Sequence, residues 1–310
     1  MKIEAGFATD VGRVREGNED SYLVEPPLYA VADGMGGHRG GDVASQLAIS
    51  TIQDLSKQGK GTLGEQVREA NRLVFERAAK DSRLSGMGTT LTATLISPEG
   101  AHLAHVGDSR AYLLRAGALR RLTEDHTLVN RMVRAGEISE REAGQHPHRN
   151  VLVRSLGTEP NVEVDEDSIG LLNGDRLVLC SDGLTGMVTE EQLQAILEAT
   201  STPQEAADRL VRTANRAGGI DNITVVVLDV SEAEGEGAVA GRPGAAARAA
   251  HPGFDRSSLL RWAARAALGL AVALALLFGV RAFVESQWYV AIDRGNVAVY
   301  QGIPAEVLGF

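Results

Sequence analysis

Short apolar runs, broken by Gly, Asp and Asn, recur through the first 230 residues. They predict strands at 7–9, 22–24, 29–32, 89–96, 103–106, 111–114, 119–122, 176–180 and 223–228. Gly117 falls in the turn between two of these runs, as a hairpin requires. Longer segments of helical character cover about 42–58, 62–82, 189–199 and 203–217. Helix starts are marked by TLGE from Thr62, SERE from Ser139, TEEQ from Thr189 and TPQE from Thr202. Each fits a capping box, in which the first hydroxyl and the fourth side chain each satisfy an orphan backbone N–H. Pro203 sits at the first helical position, where its missing N–H costs least. Strands come in meanders and helices in pairs, an α+β pattern without βαβ alternation. Two antiparallel sheets covered by helical layers accommodate it, and no internal repeat is visible.

The pattern changes after Val230. Residues 231–258 are rich in Ala, Gly, Glu and Arg without a sustained apolar period, and read as a linker. As a flexible coil it would span roughly 30 Å r.m.s.. Residues 259–284 follow. Within them Ala266 to Val280 carries no charge, and counting on to Val284 gives 19 positions, close to the ~20 a helix needs to cross a bilayer. A buried core helix is the competing reading. The membrane is favoured because the run is apolar on all faces and is bracketed by Trp262 and by Trp288 and Tyr289. Arg256, Arg261 and Arg265 precede it, whereas Arg281 alone lies near its exit. The excess of arginine before the span places residues 1–258 in the cytoplasm and 285–310 outside, as a short extracytoplasmic tail. The expected location is therefore the cell membrane, crossed once, with the main domain (1–230) cytoplasmic. The first residues, MKIEAGFATD, contain no apolar stretch of the kind that opens a signal peptide.

Composition narrows the function. The chain has 310 residues, 44% apolar and 23% charged, ordinary for a globular protein. Its formal net charge of −10 argues against nucleic-acid binding, which calls for a basic face. An acidic excess fits carboxylates gathered for divalent cations. The one cysteine, Cys180, excludes an internal disulfide, and its neighbours Leu177, Val178 and Leu179 make it a buried strand thiol.

The candidate chemistry lies where apolar runs end. In VADGMGGHRGGDVAS, Asp33 closes a strand and is followed by five glycines within eight residues. Such a loop could wrap a phosphate or keep a metal site open. The phosphate-loop reading fails on detail, because no lysine follows the glycines and the sixth position counted from Gly34 is Arg39. Serine-hydrolase and zincin signatures are absent too. Asp108 follows LAHVG, Asp182 follows LVLCS, Asp221 precedes NITVVVL, and Glu19 and Asp20 precede SYLV. One Asp-Gly is usually a turn. Several half-buried carboxylates in one domain repel unless a cation joins them, and Mg²⁺ or Mn²⁺ suits an all-oxygen site.

These residues carry a resemblance. RVREGNEDSYLV, VADGMGGHRGGDVAS, GMGTTLTATLI, HVGDSRAYLLRAGALRRLTEDHT, VLCSDGLTGMV and GIDNITVVVL occur in the order seen in metal-dependent protein phosphatases of the protein phosphatase 2C (PPM) family. The match covers roughly residues 3–230 and looks closest to bacterial Ser/Thr phosphatases that act opposite Hanks-type kinases. The resemblance implies a four-layer α-β-β-α sandwich with a binuclear Mn/Mg centre at one end. It implies that Asp33 bridges two ions, that the Gly34 carbonyl joins one of them, and that Asp182 and Asp221 complete the pair. Glu19 and Asp20 would be outer or water-mediated partners. Arg15 matches the arginine that holds the substrate phosphate. Asp108, with Asp182 and Asn150, would take a third, weaker ion.

The general acid is left open. Animal relatives carry a histidine two residues after the bridging aspartate, where this chain has Met35. His38 and His126 are the alternatives, as is water on a metal. Residues 127–154 would form a flap that influences substrate choice. The implied partners are phosphorylated Ser/Thr proteins, above all a membrane-bound Hanks-type kinase and its substrates, met by a monomer held to the membrane by one helix. Two other readings stay open: a phosphatase-like binding or signalling module, and a sensor-type phosphatase acting on an anti-sigma antagonist.

Overall fold

The computed structural model describes residues 1–36, 40–232, 288–293 and 296–301. One compact unit spans Met1–Gly237, and its centre is a pair of five-stranded antiparallel sheets. The first runs β1 (Lys2–Asp10), β12 (Ile223–Ser231), β11 (Arg176–Cys180), β8 (Arg110–Arg115), β9 (Ala118–Arg121). The second runs β10 (Asp165–Ile169), β7 (Gly100–Val106), β6 (Leu91–Ser97), β3 (Leu28–Ala32), β2 (Ser21–Glu25).

The unbroken apolar runs have a simple cause: both faces of the central strands are covered. On β3, Tyr29 and Val31 enter the core between the sheets, while Leu28, Ala30 and Ala32 face helices. On β12, Val226, Leu228 and Val230 point inward, and Ile223, Val225 and Val227 point to the other helical layer. Helices α1 (Gly41–Lys57) and α2 (Leu63–Lys80) place Ala44, Ala48, Ile52, Val67, Ala70 and Val74 on the second sheet. Helices α6 (Glu190–Glu198) and α7 (Pro203–Arg216) place Leu193, Leu197, Leu210 and Ala214 on the first. The four-layer α-β-β-α arrangement is the one expected. Smaller elements are β4 (Gly34–Met35), β5 (Gly88–Thr89), α3 (Leu128–Arg134), α4 (Glu140–Gln145) and α5 (Asp182–Thr185).

Three local expectations change. The run at 89–96 is two strands, because the Thr90 N–H leaves the ladder and donates to the Asp33 carbonyl at 2.9 Å. Strand β10 was not expected: its sequence, DEDSI, has one buried residue, as suits an acidic edge strand that discourages pairing with other chains. The boxes at Thr62, Ser139 and Thr189 form, but at Thr202 only the hydroxyl half does. There the Glu205 carboxylate accepts from the Ser201 N–H instead. The β8–β9 turn is two residues long, Ala116 and Gly117, both at positive φ (50° and 75°), the geometry that matches the twist of paired strands.

The expected membrane span at 259–284 and most of the linker lie outside the described residues. Among the described residues no helix is long and apolar enough to cross a membrane. In a second unit, Ala238–Phe310, β13 (Trp288–Asp293) and β14 (Asn296–Gln301) form an antiparallel hairpin with Trp288 opposite Gln301.

Candidate metal centre

Strand register gathers the acidic residues at one end of the sandwich. In the first sheet Cys180 pairs with both Val225 and Arg110. The C-terminus of β11, the N-terminus of β12 and the N-terminus of β8 therefore share an edge, and carry Asp182, Asp221 and Asp108. In the second sheet Ser21 pairs with Ala32, Val31 with Thr92, and Leu91 with Val106. That sets Asp20, Asp33 and the β7–β8 turn holding Asp108 at one edge as well. The two edges meet where the Ser181 hydroxyl donates to Asp20 Oδ2 at 2.8 Å.

Threonine, serine and asparagine side chains hold the backbone around these carboxylates. The Asp33 N–H donates to Thr90 Oγ1 (2.9 Å), and the Thr89 hydroxyl donates to the Asp33 carbonyl (2.9 Å). Thr90 Oγ1 also lies 2.7 Å from Ser109 Oγ, so one threonine joins the Asp33 strand end to the residue after Asp108. Asn222 does the same for the other side. Its Oδ1 accepts from the Glu19 N–H (2.8 Å), and its Nδ2 donates to the Val11 and Gly17 carbonyls (3.0 and 2.9 Å). All three partners lie in the loop that carries Arg15, Glu19 and Asp20.

Gly34 is required by close backbone approach. A Cβ there would come within 2.2 Å of the Gly41 carbonyl oxygen and 2.5 Å of that of Glu19. The first turn of α1, the Asp33 loop and the Glu19 loop therefore pack backbone to backbone beside the carboxylates.

The electrostatics are those of too many buried acids. Burial holds the Asp33 carboxyl well above the usual carboxylate range, reinforced by Asp20, Asp182 and Asp108. Asp33 and Asp182 act on each other, and the proton is favoured on Asp33. Burial pushes Asp20 up to about 7 and Asp108 up to about 8. Burial also raises Asp182 and Glu19. Asp20 Oδ1 and Asp182 Oδ1 are buried without a hydrogen-bond partner. Orphaned carboxylate oxygens in an all-oxygen donor set fit Mn²⁺ or Mg²⁺. Among the described residues, no three acidic, imidazole or thiolate groups already close on one point.

The other expected residues are placed as follows. Arg15 donates from Nη2 to Asp221 Oδ2 at 2.7 Å and its side chain is 52% exposed. Asn150 is exposed and lines, with Asp108, Asp182 and Asp221, a cleft of about 690 Å³. The flap, α3 and α4, forms one wall through Val129, Val133 and Ala143. His38 lies outside the described residues. His126 is buried, and its Nδ1 accepts from the Gly107 N–H at 3.0 Å, the structural use of such a residue. Cys180 is fully buried and its thiol is pushed up to about 12 by burial, so it offers no thiolate.

Sequence reasoning gave no role to Thr90, Ser109, Ser181 or Asn222. The one signal was that each adjoins an aspartate or an apolar run at a strand end, where a buried polar residue must be hydrogen-bonded.

A family model described as protein phosphatase 2C matches residues 18–215. The serine/threonine phosphatase stp of Listeria monocytogenes is 43% identical over 241 residues, covering 73% of this chain and 96% of that protein. The serine/threonine protein phosphatase PstP of Mycobacterium tuberculosis is 39% identical over 344 residues, covering 97% of this chain and 65% of that protein. A solved structure of the PstP catalytic domain with two manganese ions superposes with a TM-score of 0.68 at 40% identity, covering 74% of this chain and 99% of that one.

Proposed function

This chain belongs to the protein phosphatase 2C family, and from that premise we propose that the carboxylates at the end of its sandwich hold the two catalytic cations. The activity is hydrolysis of phosphoserine and phosphothreonine on proteins, with two Mn²⁺ or Mg²⁺ ions as cofactor. Asp33, the Gly34 carbonyl, Asp182 and Asp221 would hold the pair, with Glu19 and Asp20 as outer or water-mediated partners. Asp108, Asp182 and Asn150 would hold a third, weaker ion. When bound, such ions lower the pKa of water and offset the charge of the phosphoryl group in flight.

The chain's own groups do the rest. Arg15 presents a planar fork of N–H donors that suits phosphate bidentately. Asn222 keeps the Arg15 loop against Asp221. The flap wall of the cleft meets the peptide on either side of the phosphoresidue and biases which peptides enter. No described side chain is needed as a covalent nucleophile: the Ser181 hydroxyl is already committed to Asp20 and the Thr224 N–H.

The observation that carries this reading is the pair of orphaned buried oxygens, Asp20 Oδ1 and Asp182 Oδ1, within one carboxylate cluster. The test is phosphate release from a phosphothreonine peptide by the full chain, with manganese and with excess chelator. Activity that manganese restores to the native protein but not to Asp182→Asn supports it. Near-native turnover by Asp182→Asn at saturating manganese overturns it.

The tether is part of the same proposal. The uncharged run from Ala266 to Val280, with arginines before it, supports one membrane span and a cytoplasmic catalytic unit. The match to PstP over 97% of this chain extends past the catalytic unit and supports a shared layout. A linker reaching roughly 30 Å would favour phosphosites on membrane-bound Hanks-type kinases through effective concentration. Cell fractionation tests the span: full-length protein in the membrane pellet and a truncation after Gly237 in the supernatant support it. Full-length protein in the supernatant refutes it.

A further inference from the structure

We propose that His126 is a positioning residue that ties the Asp108 turn to the base of the flap, using one ring nitrogen for each. The inference builds on the reading of Asp108 as a cation ligand.

The bonds converge on one residue. The His126 N–H donates to the Gly107 carbonyl (2.7 Å), and its Nδ1 accepts from the Gly107 N–H (3.0 Å). Gly107 immediately precedes Asp108, so both backbone polar groups of that glycine are held by a single histidine. Gly107 adopts φ +115°, and a Cβ on it would come within 2.5 Å of Thr90 Cβ. Gly107 has no side chain to hold this end of the turn, so its backbone groups are placed by His126, while Ser109 holds the other end through Thr90.

The other half of His126 faces the flap. Its carbonyl accepts from the Val153 N–H (2.8 Å), at the flap's exit. One residue on, Thr127 bridges to Leu152 and the Leu128 N–H donates to the Val151 carbonyl (2.8 Å), closing the flap's neck. Because Nδ1 accepts from Gly107, the ring proton sits on Nε2, which lies 3.1 Å from Asp165 Oδ2 on the edge strand β10. Arg154, the last flap residue, donates from Nη1 to the same Asp165 carboxylate, with that nitrogen 3.0 Å from His126 Nε2, and its Nη2 reaches Glu163 (3.2 Å). His105 supports the assembly from below. Its ring lies 4.8 Å from that of His126, and its Nε2–H donates to the Glu124 carbonyl (2.9 Å).

The ring thus has two separable duties. Nδ1 places Asp108, and Nε2–H anchors the flap strut Asp165–Arg154. A proton donor to a leaving group would need an N–H directed into the cleft, and both ring nitrogens are engaged elsewhere. This answers, for His126, the question of the general acid left open by the sequence.

Two near-isosteric substitutions divide the duties. His126→Asn keeps an acceptor at the Nδ1 position and loses the reach to Asp165. His126→Gln keeps the reach and loses the acceptor. Both are made in the full chain, with thermal melts confirming the fold. Peptide-level hydrogen exchange then reads residues 105–109 and 127–154 separately. His126→Gln should lose protection at 105–109 and need about tenfold more manganese for half-maximal activity, the scale of losses around metal ligands. His126→Asn should keep both but lose protection in the flap and raise KM for phosphopeptide. Equal loss by both variants in both segments would show a bulk packing role and overturn the proposal. So would a fall in kcat larger for phosphopeptide than for an aryl phosphate, the mark of a proton donor. Asp108→Ala is run alongside. If it leaves the manganese requirement unchanged, the reading of Asp108 fails by itself, while the exchange pattern still decides the role of His126.

Discussion

Arg15 and Asp221 form an ion pair, Nη2 to Oδ2 at 2.7 Å, between residues 206 positions apart. The arginine that matches the family's phosphate clamp is thus held by one of the candidate cation ligands. The Asp221 carboxylate, which lines the cleft, fixes one edge of the guanidinium. Arg15→Ala should raise KM for phosphopeptide about tenfold, and Arg15→Lys should recover only part of that, because a point charge cannot reproduce the fork. Steady-state kinetics on both variants is the check, and an unchanged kcat/KM for Arg15→Ala would contradict the assignment.

Asp182→Asn should separate function from stability. Activity should fall by more than about 100-fold, beyond the usual cost of losing a supporting residue around a metal. The metal-free protein should melt at the same temperature or higher, because a buried, orphaned, repelled carboxylate has been neutralised. Calorimetry under chelator beside an activity assay reads both.

The metal-free protein should lose stability as pH rises. Asp20 and Asp108 titrate near 7 and 8 when folded, against about 4 unfolded. The native state therefore holds more protons than the unfolded state between those values, and stability falls with increasing pH through that window. Each such proton contributes up to about 1.4 kcal/mol per pH unit. Manganese displaces the protons, so the same ions should restore stability most strongly at pH 8 and least at pH 5. Urea titrations at both pH values, with metal and with chelator, measure it.

Asn222→Ala should cost about 2–3 kcal/mol, because it strands the Glu19 N–H and two carbonyls in a part-buried turn. It should also raise KM by loosening the Arg15 loop. A normal urea midpoint would show that the loop is held by something else.

Asp108→Ala should remove one low-affinity manganese site while leaving the tighter pair. Calorimetric titration of metal into the variant, compared with the native protein, counts the sites.

What the sequence disclosed follows from which forces leave a mark on residue type. Strands β3, β11 and β12 are buried on both faces, so they appear as unbroken apolar runs, and the aspartates at their ends stand out. Strand β10 left no such mark, because its four exposed positions are acidic or serine. The threonines of GMGTTLTATLI resemble ordinary β-formers. Only the fold reveals that Thr90 bonds both Asp33 and Ser109. Glu205 fits a capping box in sequence, yet its carboxylate finds the neighbouring N–H of Ser201. For His126 the residue type announces chemistry, and only its four bonding partners reveal support.

Strand β1 pairs with β12 along its whole length, from Lys2 opposite Ser231 to Asp10 opposite Ile223. The acidic end of the domain is therefore assembled from segments far apart in the chain, the loop after β1 and the turn before β12. On the ribosome, Asp33, Asp108 and Asp182 emerge in turn without Asp221 or the Asn222 that fastens the Arg15 loop. Such non-local closure is slow, and a nascent chain arrested short of β12 should possess most of the acidic residues and none of the activity. Competence then arrives as a single late event in translation, so the cell meets no partially built enzyme able to strip phosphate from its proteins.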